Sequence, residues 1–359
     1  MWHDRRLQNL FGIEHPILLA PMAGAIDVTL AVAVAQAGGL GSLPAALLDA
    51  AKLRDQVVAF RAAAPGKPVN LNFFSHTPPV PSNAREHAWR EALKPYYVEL
   101  GIDPNAPVPA SNRAPFDEAF CAVVEELKPE VVSFHFGLPE AALVARVKAA
   151  GAKVISSATT VAEAVWLDER GCDAIIAQGY EAGGHRGNFL SDDLSTQVGT
   201  FALTPLVADA VKVPVIAAGG IADARGIVAA LALGAAGVQI GSAYLLCPES
   251  KVTAPHRTLL RNARSLDMVV TNVMTGRPAR GFVNRVMREL GPISPVAPAF
   301  PLAGGALAPL GAKAREQGSG DFSSMWSGQG AGLGRELPAA ELTARLVDEA
   351  QGLMRRLAS

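Results

Sequence analysis

The chain has 359 residues, half of them hydrophobic and 18% charged, with a formal net charge of −1. That length suits one large domain with insertions or two ordinary ones, and the near-zero charge excludes a basic field for nucleic acid or an acidic tail. Cys121, Cys172 and Cys247 stand far apart without a CxxC pair, which argues against a disulfide framework or a metal site and fits a reducing cytosol.

Near the N-terminus, Arg5-Arg6 precedes the apolar run Ile17-Leu18-Leu19-Ala20, interrupted by Glu14, Pro16 and Pro21. The run is too short to span a bilayer and reads as a first core strand, so a soluble cytoplasmic protein is expected. A helix is predicted near 28–37, a strand at 40–43, a helix near 50–63 and a strand at 69–73. Residues 75–115, rich in Pro, Asn and aromatics, break the rhythm and read as an insertion. The alternation resumes with a helix near 116–127, a strand at 131–134, a helix at 140–150 and a strand at 153–156. A helix at 161–169 and strands at 174–177 and 215–218 follow, then a helix at 224–233 and a strand at 237–240. Eight such units imply a parallel sheet closed into a (β/α)₈ TIM barrel over residues 1–246. A doubly wound sheet is less suited, because the first turn, Ala20-Pro21-Met22-Ala23-Gly24, lacks a GxGxxG fingerprint. Residues 247–359 form an extension packed on the barrel: helical pieces, a loose glycine-dense stretch at 303–334, and an amphipathic helix near 338–357.

The most informative segment is Gln178-Gly179-Tyr180-Glu181-Ala182-Gly183-Gly184-His185-Arg186-Gly187, directly after the sixth strand. Its glycines let bare backbone approach a ligand, while His185 adds a titratable ring beside it. At the ends of the seventh and eighth strands lie Ala217-Ala218-Gly219-Gly220-Ile221 and Gln239-Ile240-Gly241-Ser242, where barrels of this kind often cradle phosphate with help from a helix N-terminus. Other strand ends contribute Met22, Asn72, His135, Gln178 and Gln239. Side-chain amides both donate and accept, as the mixed edges of a heteroaromatic ring require, so a mononucleotide fits better than bare phosphate.

These residues carry a resemblance. Ala20–Gly24, Gly38-Gly39-Leu40-Gly41-Ser42-Leu43-Pro44, Asn70-Leu71-Asn72-Phe73, Ser133-Phe134-His135-Phe136-Gly137, the 178–187 loop and Met325-Trp326-Ser327-Gly328-Gln329 resemble the class I FMN-dependent nitronate monooxygenases, formerly called 2-nitropropane dioxygenases. The resemblance spans nearly the whole chain; Glu-Ala-Gly-Gly-His is its specific element. It implies FMN held by Met22, Asn72, Gln178, Gly183, Gly220 and the Gln239, Ile240, Gly241, Ser242 turn, with the phosphate at Gly220, Gly241 and Ser242. It also implies that Gly328 and Gln329 belong to an ordered flavin-covering lid, against the linker that their composition suggests. His185 matches the family's active-site histidine, as a base toward neutral nitroalkanes or as an orienter of the anionic nitronate. The implied reaction is oxidation of alkyl nitronates, propionate 3-nitronate among them, by O₂ through a flavin semiquinone. It yields a carbonyl compound and nitrite or its oxidised products, a detoxification. Expected partners are the small-molecule substrate and O₂, with no membrane or nucleic acid, in a monomer or homodimer. The alternative is an NAD(P)H-dependent flavin reductase of quinones or enoyl thioesters on a related barrel, because the same loop motif occurs there.

Overall fold

Short apolar runs supply the inner sheet: β1 (Ile17–Leu19), β2 (Gly41–Pro44), β3 (Val69–Phe74), β4 (Val131–His135), β5 (Lys153–Ala158) and β6 (Ala174–Gln178). After the two-residue β7 (Gly184–His185) come β8 (Val215–Ala218) and β9 (Gly237–Ile240). The computed structural model describes residues 2–109, 113–264 and 267–359. Eight strands pair in the order β1-β9-β8-β6-β5-β4-β3-β2, all in parallel, and a parallel bridge between Leu18 and Leu40 joins the two ends. The result is the expected (β/α)₈ barrel, with the ends of all eight predicted strands within two residues of their places.

The helices are α1 (Arg6–Phe11), α2 (Val28–Gln36), α3 (Ala50–Ala63), α4 (Asn83–Glu99), α5 (Glu118–Leu127), α6 (Ala141–Ala149), α7 (Val161–Glu169), α8 (Thr200–Ala210) and α9 (Ala224–Ala232). The extension adds α10 (Ala254–Arg261), α11 (Arg285–Leu290), α12 (Ala303–Glu316) and α13 (Ala339–Ala358). Asp27, Asp49, Asp117, Thr160 and Asp223 start five of them by accepting an amide hydrogen bond two or three residues on, which satisfies donors left unpaired at a helix start. Inside the barrel, Leu18, Leu40, Val131, Ile155, Ile176 and Ile216 pack together, and Leu7 and Phe11 of α1 join that cluster. The amphipathic α13 lies against α2 and α9 and buries Leu342 and Leu346 in the core between helices and sheet.

Three regions differ from the sequence reading. The insertion carries the seventeen-residue α4, whose Trp89, Leu93 and Tyr97 bury against Leu307 and Leu310 of α12. The first half of the stretch expected to be loose, 303–334, is therefore helical: its glycines and alanines allow close packing, and Trp89 Nε1 and Tyr97 Oη donate to the Ala303 and Ala306 carbonyls at 3.1 and 2.5 Å. Between β6 and β8 the sequence reading placed no helix, but α8 forms there. Glu181 accepts from Thr200 N and Oγ1 at its start (2.7 and 2.9 Å), doing for a glycine N-cap what a side chain normally does. Third, the extension contributes β10 (Met268–Thr271) and β11 (Ala279–Phe282), which pair antiparallel, and β11 also pairs with β7 so that Ala279 faces His185. Among the described residues no helix is long and apolar enough to cross a membrane.

Candidate active site

A cavity of about 550 Å³ opens at the C-terminal ends of the barrel strands, lined there by Met22, Asn72, Gln178 and Gln239. Its two ends are built differently. At one, β8 runs into Gly219 and Gly220 with φ of +115° and +72°, a region that L side chains rarely adopt. The amides of Gly220 and Gly241 donate to no acceptor among the described residues. A Cβ on Gly241 would lie 3.3 Å from Ala20 Cβ and 3.4 Å from Met22 Sδ. Nearby, Gln239 Oε1 is buried with no hydrogen-bond partner among the described residues. Bare amides, a hydroxyl and an orphaned amide oxygen in a cavity this size fit a phosphate-bearing heterocycle. The start of α9 is already capped: Asp223 accepts from the Arg225 and Gly226 amides and pairs with Arg225. An acid on that helix dipole leaves the loops as the anion donors.

The C-terminal motif closes over this end. Gly328 N donates to Ser242 Oγ (2.8 Å), Gln329 N to the Glu181 carbonyl (2.9 Å), and Phe282 N to the Met325 carbonyl (2.9 Å). Gly183 and Gly328 cross so closely that a Cβ on Gly183 would sit 2.4 Å from Gly328 N. The segment is thus stitched to β11, the 181–183 loop and the turn after β9, which a mobile linker would not be. Gly183, Gly220, Gly241, Ser242 and Gly328 all line the cavity, whereas Ile240 and Gln329 do not; Ile240 is turned into the core between helices and sheet.

At the other end, the β7–β11 pairing holds His185 among aromatic rings: Phe300 at 5.2 Å, Trp326 at 5.6 Å, Phe136 at 5.9 Å and Phe74 at 6.0 Å between centroids. His185 Nε2 lies 2.9 Å from Thr275 Oγ1, and that hydroxyl is directed at the Arg277 carbonyl (3.4 Å). With the hydroxyl proton so placed, Nε2 donates and Nδ1 keeps the lone pair. The His185 carbonyl accepts from Gln178 Nε2 (3.0 Å) and from His135 Nε2 (3.2 Å), whose Nδ1 faces Ser157 Oγ at 3.1 Å. Gln178 Oε1 in turn accepts from Gly187 N (2.7 Å), so one side chain ties the 185–187 segment to β6 at two points.

The electrostatics favour a neutral imidazole. Burial first, then the Arg113 guanidinium, then His135, Arg277 and His76, hold His185 well below its ordinary range. Burial likewise pushes His135 and His76 down to about 4. Arg113 lines the cavity; Arg277 stacks its guanidinium 4.2 Å from the centre of Phe136 and donates to the Asn188 carbonyl. Fixed positive charge around uncharged histidines makes a site that welcomes an anion. Sequence reasoning gave no role to Arg113, Thr275 and Arg277, which come from the insertion and the extension, nor to the aromatic wall, whose rings come from β3, the turn after β4 and the extension. The one available signal was Thr-Gly-Arg-Pro-Ala-Arg-Gly at 275–281, where arginines punctuate a strand that is otherwise small and apolar.

A family model described as Nitronate monooxygenase matches residues 4–349. A nitronate monooxygenase of Pseudomonas aeruginosa is 43% identical over 97% of this chain and 99% of its own, and one of Paraburkholderia phytofirmans is 43% identical over 96% and 94%. The crystal structure of a nitroalkane oxidase from Streptomyces ansochromogenes superposes with a TM-score of 0.89 at 36% identity, covering 98% of this chain and 99% of that one. FabK from Thermotoga maritima follows at a TM-score of 0.73 and 28% identity, over 100% and 99% of the two chains.

Proposed function

Because the chain belongs to the nitronate monooxygenase family, a family of oxidoreductases, we propose that it binds FMN and oxidises alkyl nitronates with O₂, giving a carbonyl compound and nitrite or its oxidised products. The observation that carries this reading is a neutral, half-buried histidine beside guanidinium groups, at one end of a cavity whose other end presents bare glycine amides.

In this reading the FMN phosphate is held by Gly220, Gly241 and Ser242, and its ring by Met22, Asn72, Gln178 and Gln239. Gly183 and Gly328 cover it, and Ile240 and Gln329 contribute through backbone alone. Bound FMN supplies the electron acceptor and the route to oxygen; the protein supplies position and electrostatics. The nitronate is an anion. At neutral pH an uncharged His185 cannot neutralise it, so that task falls to Arg113 and Arg277. The aromatic wall of Phe74, Phe136, Phe300 and Trp326 excludes water and strengthens their field. Toward a neutral nitroalkane, His185 Nδ1 is the atom with a lone pair to take the α-proton, while Nε2 stays anchored on Thr275. Propionate 3-nitronate is the first substrate to try, since the half-buried guanidiniums of Arg113 and Arg277 also suit a carboxylate.

The test is purification, a visible spectrum and mass spectrometry of the heat-released ligand, followed by propionate 3-nitronate with and without O₂. Yellow protein releasing FMN, and nitrite formed only aerobically, are expected. FAD or no flavin would overturn the cofactor assignment. Anaerobic bleaching by NADH or NADPH with no nitronate turnover would point to a reductase instead.

A further inference from the structure

Two buried guanidiniums hold the backbone at the C-terminal end of β6, and neither lines the cavity. Arg186 is fully buried: Nε donates to Gln197 Oε1 (2.7 Å), Nη1 to the Gly179 carbonyl (2.9 Å) and Nη2 to the Gln178 carbonyl (3.0 Å). Arg280 of β11 is 3% exposed and donates from Nε and Nη2 to the Tyr180 carbonyl, at 3.2 and 2.9 Å. The Tyr180 ring lies against both, 5.5 and 4.8 Å from their guanidinium carbons. Every one of these acceptors is neutral. The acids whose charge reaches Arg186, Glu181 and Glu163, are engaged elsewhere: Glu181 at the start of α8, and Glu163 with Thr159, Phe189 and Leu190. Burial lowers the pKa of both guanidiniums, Arg186 to about 10, so each stays charged at neutral pH.

Carbonyls can be held by neutral donors, and burying a charge without a carboxylate is costly. A paired cation in this position makes sense where negative charge develops on the other side of the Gln178–Tyr180 backbone, in the cavity that Gln178 lines. We propose that Arg186 and Arg280 are positioning residues that raise the reduction potential of the bound flavin by stabilising its reduced, anionic form. Uptake of two electrons and one proton leaves the flavin ring with one negative charge. A fixed positive field behind β6 favours that state over the neutral oxidised one. The inference rests on the FMN reading above.

The test is a dye-equilibrated redox titration of the flavin-loaded protein. Arg280→Gln keeps a donor to the Tyr180 carbonyl but removes the charge. It is expected to shift the potential negative by a roughly tenfold drop in the reduction equilibrium, or ~30 mV for two electrons. Arg280→Lys should stay near wild type, and Arg186→Gln and Arg186→Lys should repeat the pattern. A loaded Arg280→Gln with wild-type potential, or an Arg280→Lys that falls as far, would overturn the inference. A second measurement needs no variant. Between about pH 5.5 and 6.5 the wild-type potential should change by about 30 mV per pH unit, one proton per two electrons, with free FMN in the same cell as reference. A slope of about 59 mV, two protons per two electrons, would mean a neutral reduced flavin and sink the inference even if every variant misfolded. Protein that carries no flavin would sink the cofactor reading and this inference together; loaded flavin with an unmoved potential sinks this inference alone.

Discussion

The two ends of the cavity are made by opposite means. The cradle after β8 and β9 is backbone: Gly219, Gly220 and Gly241 offer amides because nothing else is there, and each sits within a few residues of its own strand. The His185 pocket is side chain, assembled from segments far apart in the chain: Phe74 at the end of the third barrel strand, Arg113 from the insertion, and Thr275, Arg277, Phe300 and Trp326 from the extension. A site of bare backbone tolerates almost no added atom. A pocket built from side chains can lose one member and keep its shape. Sensitivity to substitution should therefore be steep at the first end and graded at the second.

The largest effect is expected at the cradle. Gly220→Val forces a β-branched residue to φ +72° and places its Cβ 3.3 Å from Glu181 Cβ. Flavin-to-protein absorbance should fall to near zero while far-UV circular dichroism stays barrel-like; full occupancy would move the phosphate elsewhere. Next comes His185→Asn, which still donates a hydrogen bond but takes no proton at neutral pH. Turnover of a neutral nitroalkane should drop ~10²–10⁴-fold, with much of the preformed-nitronate rate kept. Equal losses on both substrates would instead make His185 an orienter, and the comparison requires that wild type accept neutral nitroalkanes.

Acid should loosen the second end through its histidines. His76 and His135 titrate near 4 in the fold and near 6.5 when unfolded, so the unfolded chain binds more protons between those values. Their contribution is present above pH 6.5 and is lost as pH falls from there toward 4, at most roughly 3 kcal/mol per ring. Urea midpoints measured from pH 7 to 4.5 should decline steadily, and a flat series would mean that these rings are not neutral in the fold. The smallest effect is expected from Thr275→Val. It removes the partner of His185 Nε2 at similar volume, worth about 0.5–1.5 kcal/mol or roughly tenfold at most in nitroalkane turnover. No change in that rate would mean that the ring is held by its aromatic neighbours rather than by the hydroxyl.

Much of the barrel was legible because its rules are local. Apolar runs of four to six residues, separated by capped helices, state a parallel closed sheet before any contact is known, and paired glycines after β8 state a close backbone approach. Helix α8 escaped notice because its N-terminal partner, Glu181, lies nineteen residues back in the chain. Helix α12 was hidden by glycines and alanines whose purpose is visible only once Trp89 and Tyr97 of α4 rest on them.

By itself, then, the chain determined where backbone is bare and where a titratable ring stands next to it: Gly220, Gly241 and His185 are readable because their role depends on neighbours in sequence. Tertiary structure alone decided what surrounds that ring. Whether His185 is charged depends on burial and on Arg113 and Arg277, brought close by the β7–β11 pairing and by the insertion folding over the barrel. Electrostatic energy follows distance through space, and no spacing along the chain encodes it.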